Sequence, residues 1–470
     1  MPKMAARSNQ PQMSVVADPG NYDECELGAD HLIEQVAAKE SSPQLPPVVS
    51  PVPSAHHAVR LTVFQAIETA LVQNPDLVTQ RQAEGVSAAA LGVAQTYPFN
   101  PSVQIQATPF QDFPGGGPGT THHYVLLMQQ IQLAHQQDFR EQGAGAQLNS
   151  VRWNILQAQL LTVAQTERLY FTALYLQGLR DLSQATATNN QQLLTILEKQ
   201  LDAGQATAAD VAMVRLDARS TQQQLRLAEA NYQTALLDLR RQLGLPRSMP
   251  VELTTNLIAW GTAVIDDGFA VVHDETSMAA LAAGRPDVLA ARADIDAARA
   301  NVCLADASRT PDVQLGPYYQ RTLDGSTFLG FRMHMDLPVI NDGRPLLRQR
   351  EAELHQRTMA WQQLQTRAEL EAQAALERYQ RARGLLSELE ADASQDLPHE
   401  LQRLEEQFRA GEVDVLRIFQ ARTSVIQHRR AVLDSLNELT QAAVAVTAAT
   451  GLPVEGLLTV SAQQMPPQSH

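Results

Sequence analysis

Four short segments with alternating apolar and polar residues are the clearest pattern in the chain, and each pair of them lies between long helical stretches. The first pair is Ser102–Thr108 and His123–Leu133, separated by a loop that contains Pro114-Gly115-Gly116-Gly117-Pro118. One side of these two segments carries apolar residues at Val103, Ile105, Ala107, Val125, Leu127, Ile131 and Leu133. A period of two residues predicts β-strands with two different faces.

The second pair of alternating segments is Val313–Gln320 and Phe328–Leu337. One side of the latter carries Leu329, Phe331, Met333, Met335 and Leu337, and the other carries Phe328, Gly330, Arg332, His334 and Asp336. Its length matches the roughly 9–11 residues of a tilted transmembrane β-strand. If the apolar side faces lipid, Arg332, His334 and Asp336 face a pore lumen. The alternative is the polar face of a soluble sheet.

The remaining pattern is helical. Leu61–Asn74 has Thr62 as a candidate N-cap and places Phe64, Ile67, Leu71 and Val72 on one helical face. Further helices are predicted at Pro75–Gln95, Gly143–Leu201, from Gly204 to Leu243, Pro286–Ser308, Arg344–Arg409 and Glu412–Thr450. Pro398 is expected to bend or interrupt its helix. The helix before the first strand pair and the helix after Gly204 have a summed length close to that of the long helix Gly143–Leu201. We therefore expect these two shorter helices to stack end to end along the long one.

The order of helices and strands occurs twice along the chain. Gly204 and Gly411 are 207 positions apart, as are the Gly-Leu-Pro sequences that begin at Gly244 and Gly451, and Pro101 and Pro311 are 210 apart. Repeated landmarks indicate a tandem repeat. The predicted domains are an extended or disordered N-terminal arm (1–58), a first repeat (59–247), a connection (248–275), a second repeat (276–454) and a C-terminal tail (455–470). The predicted fold class is mainly α with a small β part.

Composition and charge exclude some classes of function. The 470 residues carry a formal net charge of −15, which argues against nucleic acid as a partner, since phosphate binding requires a basic face. Apolar runs are too short for a transmembrane helix. The first twenty residues lack the apolar core of a secretory signal, so no export signal is expected in them.

Four strands cannot close a barrel, and an open sheet edge is not tolerated in lipid. If the strands enter a membrane, several chains must therefore share one barrel, and three chains supply twelve strands. The repeat, the helix–strand–strand–helix order, the paired tips LDAGQATAADV and FRAGEVDVLRIFQA and the two Gly-Leu-Pro endings together resemble the TolC-type outer membrane efflux proteins over about Leu61–Val454. AGEVDVLRIFQA and Leu397-Pro398 resemble the heavy-metal-efflux, CzcC-like branch.

The resemblance implies a passive outer membrane channel rather than an enzyme, without a cofactor or a metal site. It implies a homotrimer in outer membrane lipid, with a 12-stranded barrel that continues into a periplasmic helical tunnel. The expected partners are a periplasmic membrane-fusion adaptor and an inner-membrane pump of the RND or ABC type, for efflux or type I secretion. The alternative is a soluble scaffold of long coiled-coil helices without transport activity.

The resemblance also gives roles to residues. The adaptor-binding tips would be Ala203, Gly204, Gln205, Ala410, Gly411 and Glu412. The tunnel constriction would include Asp210, Arg417 and Gln420, although a helix-start role for Asp210 and a solvated face for Arg417 remain open. His122 and His123 are interpreted as loop residues rather than metal ligands, because carboxylates and cysteines are missing around them.

Overall fold

The computed structural model describes residues 59–108, 121–204, 206–246, 249–255, 257, 275–322, 324–393, 403–404, 406–407 and 415–451. The predicted arm, the glycine-rich loop, Pro398 and the C-terminal tail lie outside these residues. Among the helices that the structure describes, none is long and apolar enough to cross a membrane.

The described residues of the first repeat form three strands and four helices. In chain order they are β1 (Val59–Leu61), α1 (Val63–Gln73), α2 (Pro75–Gln95), β2 (Ser102–Thr108), β3 (His122–Ile131), α3 (Gln136–Asp202) and α4 (Ala208–Gln242). Thr62 caps α1 as predicted, in a capping box in which the Gln65 N–H donates to Thr62 Oγ1 and the Thr62 N–H donates to Gln65 Oε1. Pro75 starts α2, whose first turn is capped by the Asn74 side chain.

The second repeat follows the same order. Its elements are β4 (Val251–Leu253), α5 (Glu275–Ala283), α6 (Pro286–Ala307), β5 (Val313–Arg321), β6 (Thr327–Met335), α7 (Arg344–Ala393) and α8 (Val415–Thr450). The short parallel pair of β1 and β4 ties the start of the first repeat to the predicted connection. β4 was not predicted, because three residues are too few to show a period.

One antiparallel sheet combines the strands of both repeats in the order β2–β3–β5–β6. The helices form a matching order, with α2 and α4 both packed along α3, α3 packed on α6 and α8, and these two packed on α7. This confirms the predicted stacking of two shorter helices along a long one, here 21 and 35 residues along 67. The sheet and the helical layer therefore have the same two edges.

The main core lies in a belt around the middle of α3. The Tyr170 hydroxyl, fully buried, donates to the carbonyl of Leu61 at 2.8 Å and lies 2.8 Å from Thr255 Oγ1. Burial raises the pKa of Tyr170. The Tyr175 hydroxyl donates a 2.6 Å hydrogen bond to Asp434 and so links α3 to α8. Burial is the main cause, and this hydrogen bond the second, that raises the pKa of Tyr175 to about 12.

Arg285 is a buried charged residue of this belt. Its guanidinium contacts Asp287 at 2.7 Å and Glu371 at 2.9 Å, while its side chain is only 8% exposed. Burial opposes the charge of Arg285, but its hydrogen bonds to the two carboxylates outweigh burial and raise its pKa. The network joins the start of α6 to α7.

Some predicted details were wrong. α1 buries Val63, Ala66 and Ala70, while Phe64 is 62% exposed, so the predicted apolar face is not the packing face. α3 begins at Gln136, seven residues before the predicted Gly143. β3 and β6 each end two residues earlier than predicted.

We expect Arg285→Ala to destabilise the fold by about 2 kcal/mol, because Asp287 and Glu371 lose their shared cation. A fully buried pair costs about 3–5 kcal/mol to break, but Glu371 is 40% exposed. Denaturant unfolding of the purified protein measures the loss. The control is Arg241→Ala, since Arg241 is 84% exposed and 3.9 Å from Asp238. Equal destabilisation by both changes would contradict a structural role specific to Arg285.

Candidate functional site: a two-faced sheet and a helical tip

One face of the four-stranded sheet, called here the apolar face, is covered with exposed hydrophobic side chains. Strand pairing places Ile105, Val125, Tyr319 and Leu329 in one row across all four strands. The face consists of Val103, Ile105, Val125, Leu127, Leu315, Tyr319, Leu329, Phe331, Met333 and Met335, which are 38–82% exposed. This is the side that the sequence alternation predicted as apolar. An exposed patch of this extent marks a surface that contacts lipid or another protein.

The opposite face, called here the polar face, carries glutamines and ionisable residues around a small cluster. Tyr124, Leu126 and Met128 of β3 are buried there, with Tyr318 packed against them. The guanidinium of Arg332 lies over the Tyr124 ring, 5.4 Å from its centroid. His334 Nε2 is 3.4 Å from Asp336 Oδ1. Arg332 and His334 thus share this face within β6, and Asp336 follows one residue after its end, as the alternation predicted.

A polar cavity of about 200 Å³ lies where the sheet meets the helices. At this junction Asp312 accepts hydrogen bonds from Gln130 Nε2 at 2.8 Å and from Gln136 Nε2 at 3.3 Å. His334 and Asp336 also line the cavity. Asp312 and Gln136 were missed from the sequence, because a carboxylate beside a predicted strand gives no signal of its distant glutamine partners.

The first predicted tip is a tight turn between α3 and α4. Gly204 has a φ of 73°, a left-handed conformation that favours glycine, and its N–H donates to the carbonyl of Leu201. Ala203 is the C-cap of α3. Gln205, the third predicted tip residue, lies outside the described residues.

Asp210 lies in the first turn of α4, where it completes a capping box with Thr207. Its N–H donates to Thr207 Oγ1 at 3.2 Å, and its carboxylate accepts from the Thr207 N–H at 3.1 Å. The Thr207 hydroxyl also donates to this carboxylate, and this hydrogen bond, followed by the one from the Thr207 N–H, holds the pKa of Asp210 below its ordinary value. The helix-start role is therefore present, while a place in a constriction stays a prediction.

A separate small core supports this tip. Leu193, Leu194 and Leu197 of α3 pack against α4 residues Val211, Val214 and Ala218. At the surface beside it, Arg215 contacts Glu198 at 2.7 Å. The ends of α3 and α4 are thus held together up to the turn, which gives the tip a defined shape.

The second tip is only partly described. Ala410, Gly411 and Glu412 lie outside the described residues, so their predicted adaptor contact stays a prediction. Arg417 and Gln420 are exposed in the first turns of α8, on either side of Ile418, which is 1% exposed. Their exposure fits either a tunnel lining or a solvated face.

The histidine pair does not form a chelating site. The interpretation of His122 and His123 as loop residues was wrong, because they are the first two residues of β3. As consecutive strand residues, they point to opposite faces of the sheet. Within the described ranges, the structure brings together no group of three histidine, cysteine or acidic residues that could hold a metal ion.

The fold is similar to that of solved outer membrane proteins. Structures similar in fold include CusC (TM-score 0.65, 19% identity, covering 83% of this chain and 91% of that chain) and VceC of Vibrio cholerae (0.64, 18%, 83% and 96%). CmeC of Campylobacter jejuni is similar as well (0.65, 14%, 83% and 85%). At these identities the likeness establishes the fold.

A family model matches the second repeat. Residues 278–452 match the family model of the outer membrane efflux protein. No curated protein sequence matches the chain. These findings confirm the resemblance found in the sequence: residues 278–452 match the outer membrane efflux protein model, and the chain has the fold of these channels.

We expect Thr207→Ala to increase hydrogen exchange about fivefold at the first amides of α4, because the helix loses its cap. The matched control is Thr234→Ala, since Thr234 is exposed in mid-helix and donates only to the carbonyl of Ala230. Mass spectrometry of peptides that cover 208–214 measures the change. Unchanged exchange in Thr207→Ala would show that the cap does not hold the tip.

Acid should weaken the same cap. The folded pKa of Asp210 is depressed, so its stabilising contribution is complete above the ordinary value of 3.8 and is lost as the pH falls through the lower folded value. After correction for intrinsic exchange, protection of the first turn of α4 should fall below about pH 4. The variant Asp210→Asn should show no such change between pH 5 and pH 3.

Proposed function

We propose that this protein is the outer membrane channel of a tripartite efflux or type I secretion system. It is a passive exit duct, and an inner-membrane pump of the RND or ABC type supplies the energy and delivers the substrate through a periplasmic adaptor. The observation that carries the proposal is the exposed apolar face of the sheet, which a soluble helical scaffold has no reason to keep. The channel fold and the family match of the second repeat support it.

Three copies of the chain form the duct in this proposal. Among the described residues, β2 and β6 have one strand neighbour each, and unpaired backbone groups in lipid cost several kcal/mol each. The outer helices α2 and α4 lie at the same edge as β2, and α7 lies at the edge of β6. One head-to-tail contact therefore closes both layers into a ring. Twelve strands then form the barrel, with the apolar face in lipid and the polar face in the lumen.

The long helices form the periplasmic part of the duct. α3, with 67 residues, is about 100 Å long at 1.5 Å per residue. The predicted adaptor contacts lie at its far end, at Ala203, Gly204 and Gln205, together with Ala410, Gly411 and Glu412 of the second repeat. The domain boundaries predicted from the repeat are part of the same proposal.

The gate in this proposal lies at the same tips. Asp210, Arg417 and Gln420 line a constriction that opens when the helix pairs at the tips move outward, a shift between two packings. The capped first turn of α4 supports this, because a rigid helix end can move as a unit. Arg332, His334 and Asp336 line the barrel lumen further along the path.

The assembly is tested by membrane fractionation. We expect the protein, expressed from its own locus with any in-frame codons upstream of Met1 included, in the outer membrane fraction as a trimer that requires detergent for extraction. Density-gradient separation and native mass measurement provide the readouts. A monomer or dimer in the soluble fraction would overturn the channel in favour of the scaffold.

The orientation of the sheet is tested by a matched pair of substitutions. We expect Phe331→Arg, on the apolar face, to impair membrane insertion severely, because arginine facing lipid costs about 2–4 kcal/mol near the bilayer centre. Phe328→Arg introduces the same charge on the polar face and should leave insertion intact. The amount of heat-resistant trimer in outer membranes measures both. Equal loss in the two variants would argue against a lipid-facing apolar side.

A further inference from the structure

The repeat predicts how two copies of the chain join. Inside the chain, β3 pairs with β5 and so joins the first repeat to the second. β6 is the repeat equivalent of β3, and β2 is the equivalent of β5. We infer that β6 pairs with β2 of the next copy in the register that β3 and β5 have within the chain. The inference rests on the proposed ring, and it specifies which residues meet where the ring closes.

The correspondence between the repeats is fixed by two observations. Val103 lies opposite Leu127 in the first hairpin, and Val313 lies opposite Met335 in the second. Since β2 and β5 are offset by 210 positions, as Pro101 and Pro311 are, β3 and β6 must be offset by 208. The helices that follow these strands start at Gln136 and Arg344, which are also 208 apart.

We call the β3–β5 pairing inside the chain the internal seam, and the proposed β6–β2 pairing the seam between copies. The register of the internal seam then gives the register of the seam between copies. Inside the chain, Leu126 lies opposite Tyr318, Gln129 opposite Leu315, and Ile131 opposite Val313. Moved by the repeat offsets, these pairs become His334 with Thr108, Leu337 with Ile105, and Val339 with Val103 of the next copy. All six residues are described, and each pair keeps its apolar or polar face.

This register accounts for the early end of β6. β3 continues to Ile131, whose equivalent is Val339, but β6 ends at Met335. The last residues of β3 are held by β5, whereas within the described chain Leu337 and Val339 have no strand opposite them. They are 70% and 84% exposed, and the Val339 N–H donates locally to the carbonyl of Leu337 at 2.8 Å. Pairing with β2 replaces that local bond and extends β6.

The two seams differ on the polar face. The internal seam is packed by Tyr124, Leu126 and Met128. Their repeat equivalents are Arg332, His334 and Asp336. In the proposed register, His334 lies opposite Thr108 and Asp336 opposite Gln106 of the next copy. The seam between copies is therefore polar where the internal seam is apolar. In the proposed trimer, the charged residues of β6 occur at each of the three seams between copies.

The register is tested by disulfide cross-linking between copies. Ile105→Cys is combined separately with Met335→Cys, Leu337→Cys and Val339→Cys, three positions on the same face and two residues apart. A disulfide requires a Cβ–Cβ distance of about 3.5–4.5 Å, which the directly opposite pair approaches and the diagonal pairs exceed. With copper phenanthroline as the oxidant, we expect Leu337→Cys to give at least about threefold more linked product than either neighbour.

The controls separate the register from the ring. The chain with only Cys25 and Cys303 gives the background, and native mass measurement before oxidation shows whether each variant is trimeric. Faster linking at position 335 or 339 would overturn the register and leave the ring. Trimers that link at none of the three positions would overturn the β6–β2 seam. Monomers in every variant and in the unaltered chain would overturn the proposed duct as well.

Discussion

Backbone hydrogen bonding at the two edges of the sheet is the constraint on which the rest of the structure depends. A four-stranded sheet with one apolar face cannot enter lipid alone, because each unpaired backbone group there costs several kcal/mol. The order of the helices matches the order of the strands, so the contact that satisfies β2 and β6 also covers α2, α4 and α7. In the proposed duct, the single chain is therefore one segment of a ring, and this ring would cover its exposed apolar residues.

The long helices need little core of their own in such an arrangement. The main buried cluster forms a belt near Tyr170 and the β1–β4 pair, and a second cluster lies at the α3–α4 tip. Away from these, the helices are rich in alanine and glutamine, which allow close packing on several sides. Exposed residues such as Val86 and Val93 on α2, 73% and 75% exposed, lie on the edge helix. In the proposed ring, neighbouring copies would cover these residues.

Much of the architecture could be predicted from the sequence, because strand and helix periods are local. Thr62 and Gly204 mark a helix start and a helix end through the chemistry of the backbone groups they satisfy, and both act as predicted. The packing face of α1 could not be predicted, since the helix packs through Ala66 and Ala70 rather than through its larger Phe64. The Gln130–Asp312 contact joins residues 182 positions apart and leaves no local pattern.

The internal seam is apolar and the proposed seam between copies is polar, and this difference has a physical reason. The internal seam forms within one chain, so its cluster of Tyr124, Leu126 and Met128 is covered as soon as the chain folds. The seam between copies stays open until assembly, and an apolar cluster on an open edge promotes pairing with wrong partners. Charged residues at the equivalent positions, such as Arg332 and Asp336, limit that hazard, while the backbone ladder supplies the attraction. In the proposed register, this ladder extends β6 beyond Met335 and places Ile105 of the next copy opposite Leu337.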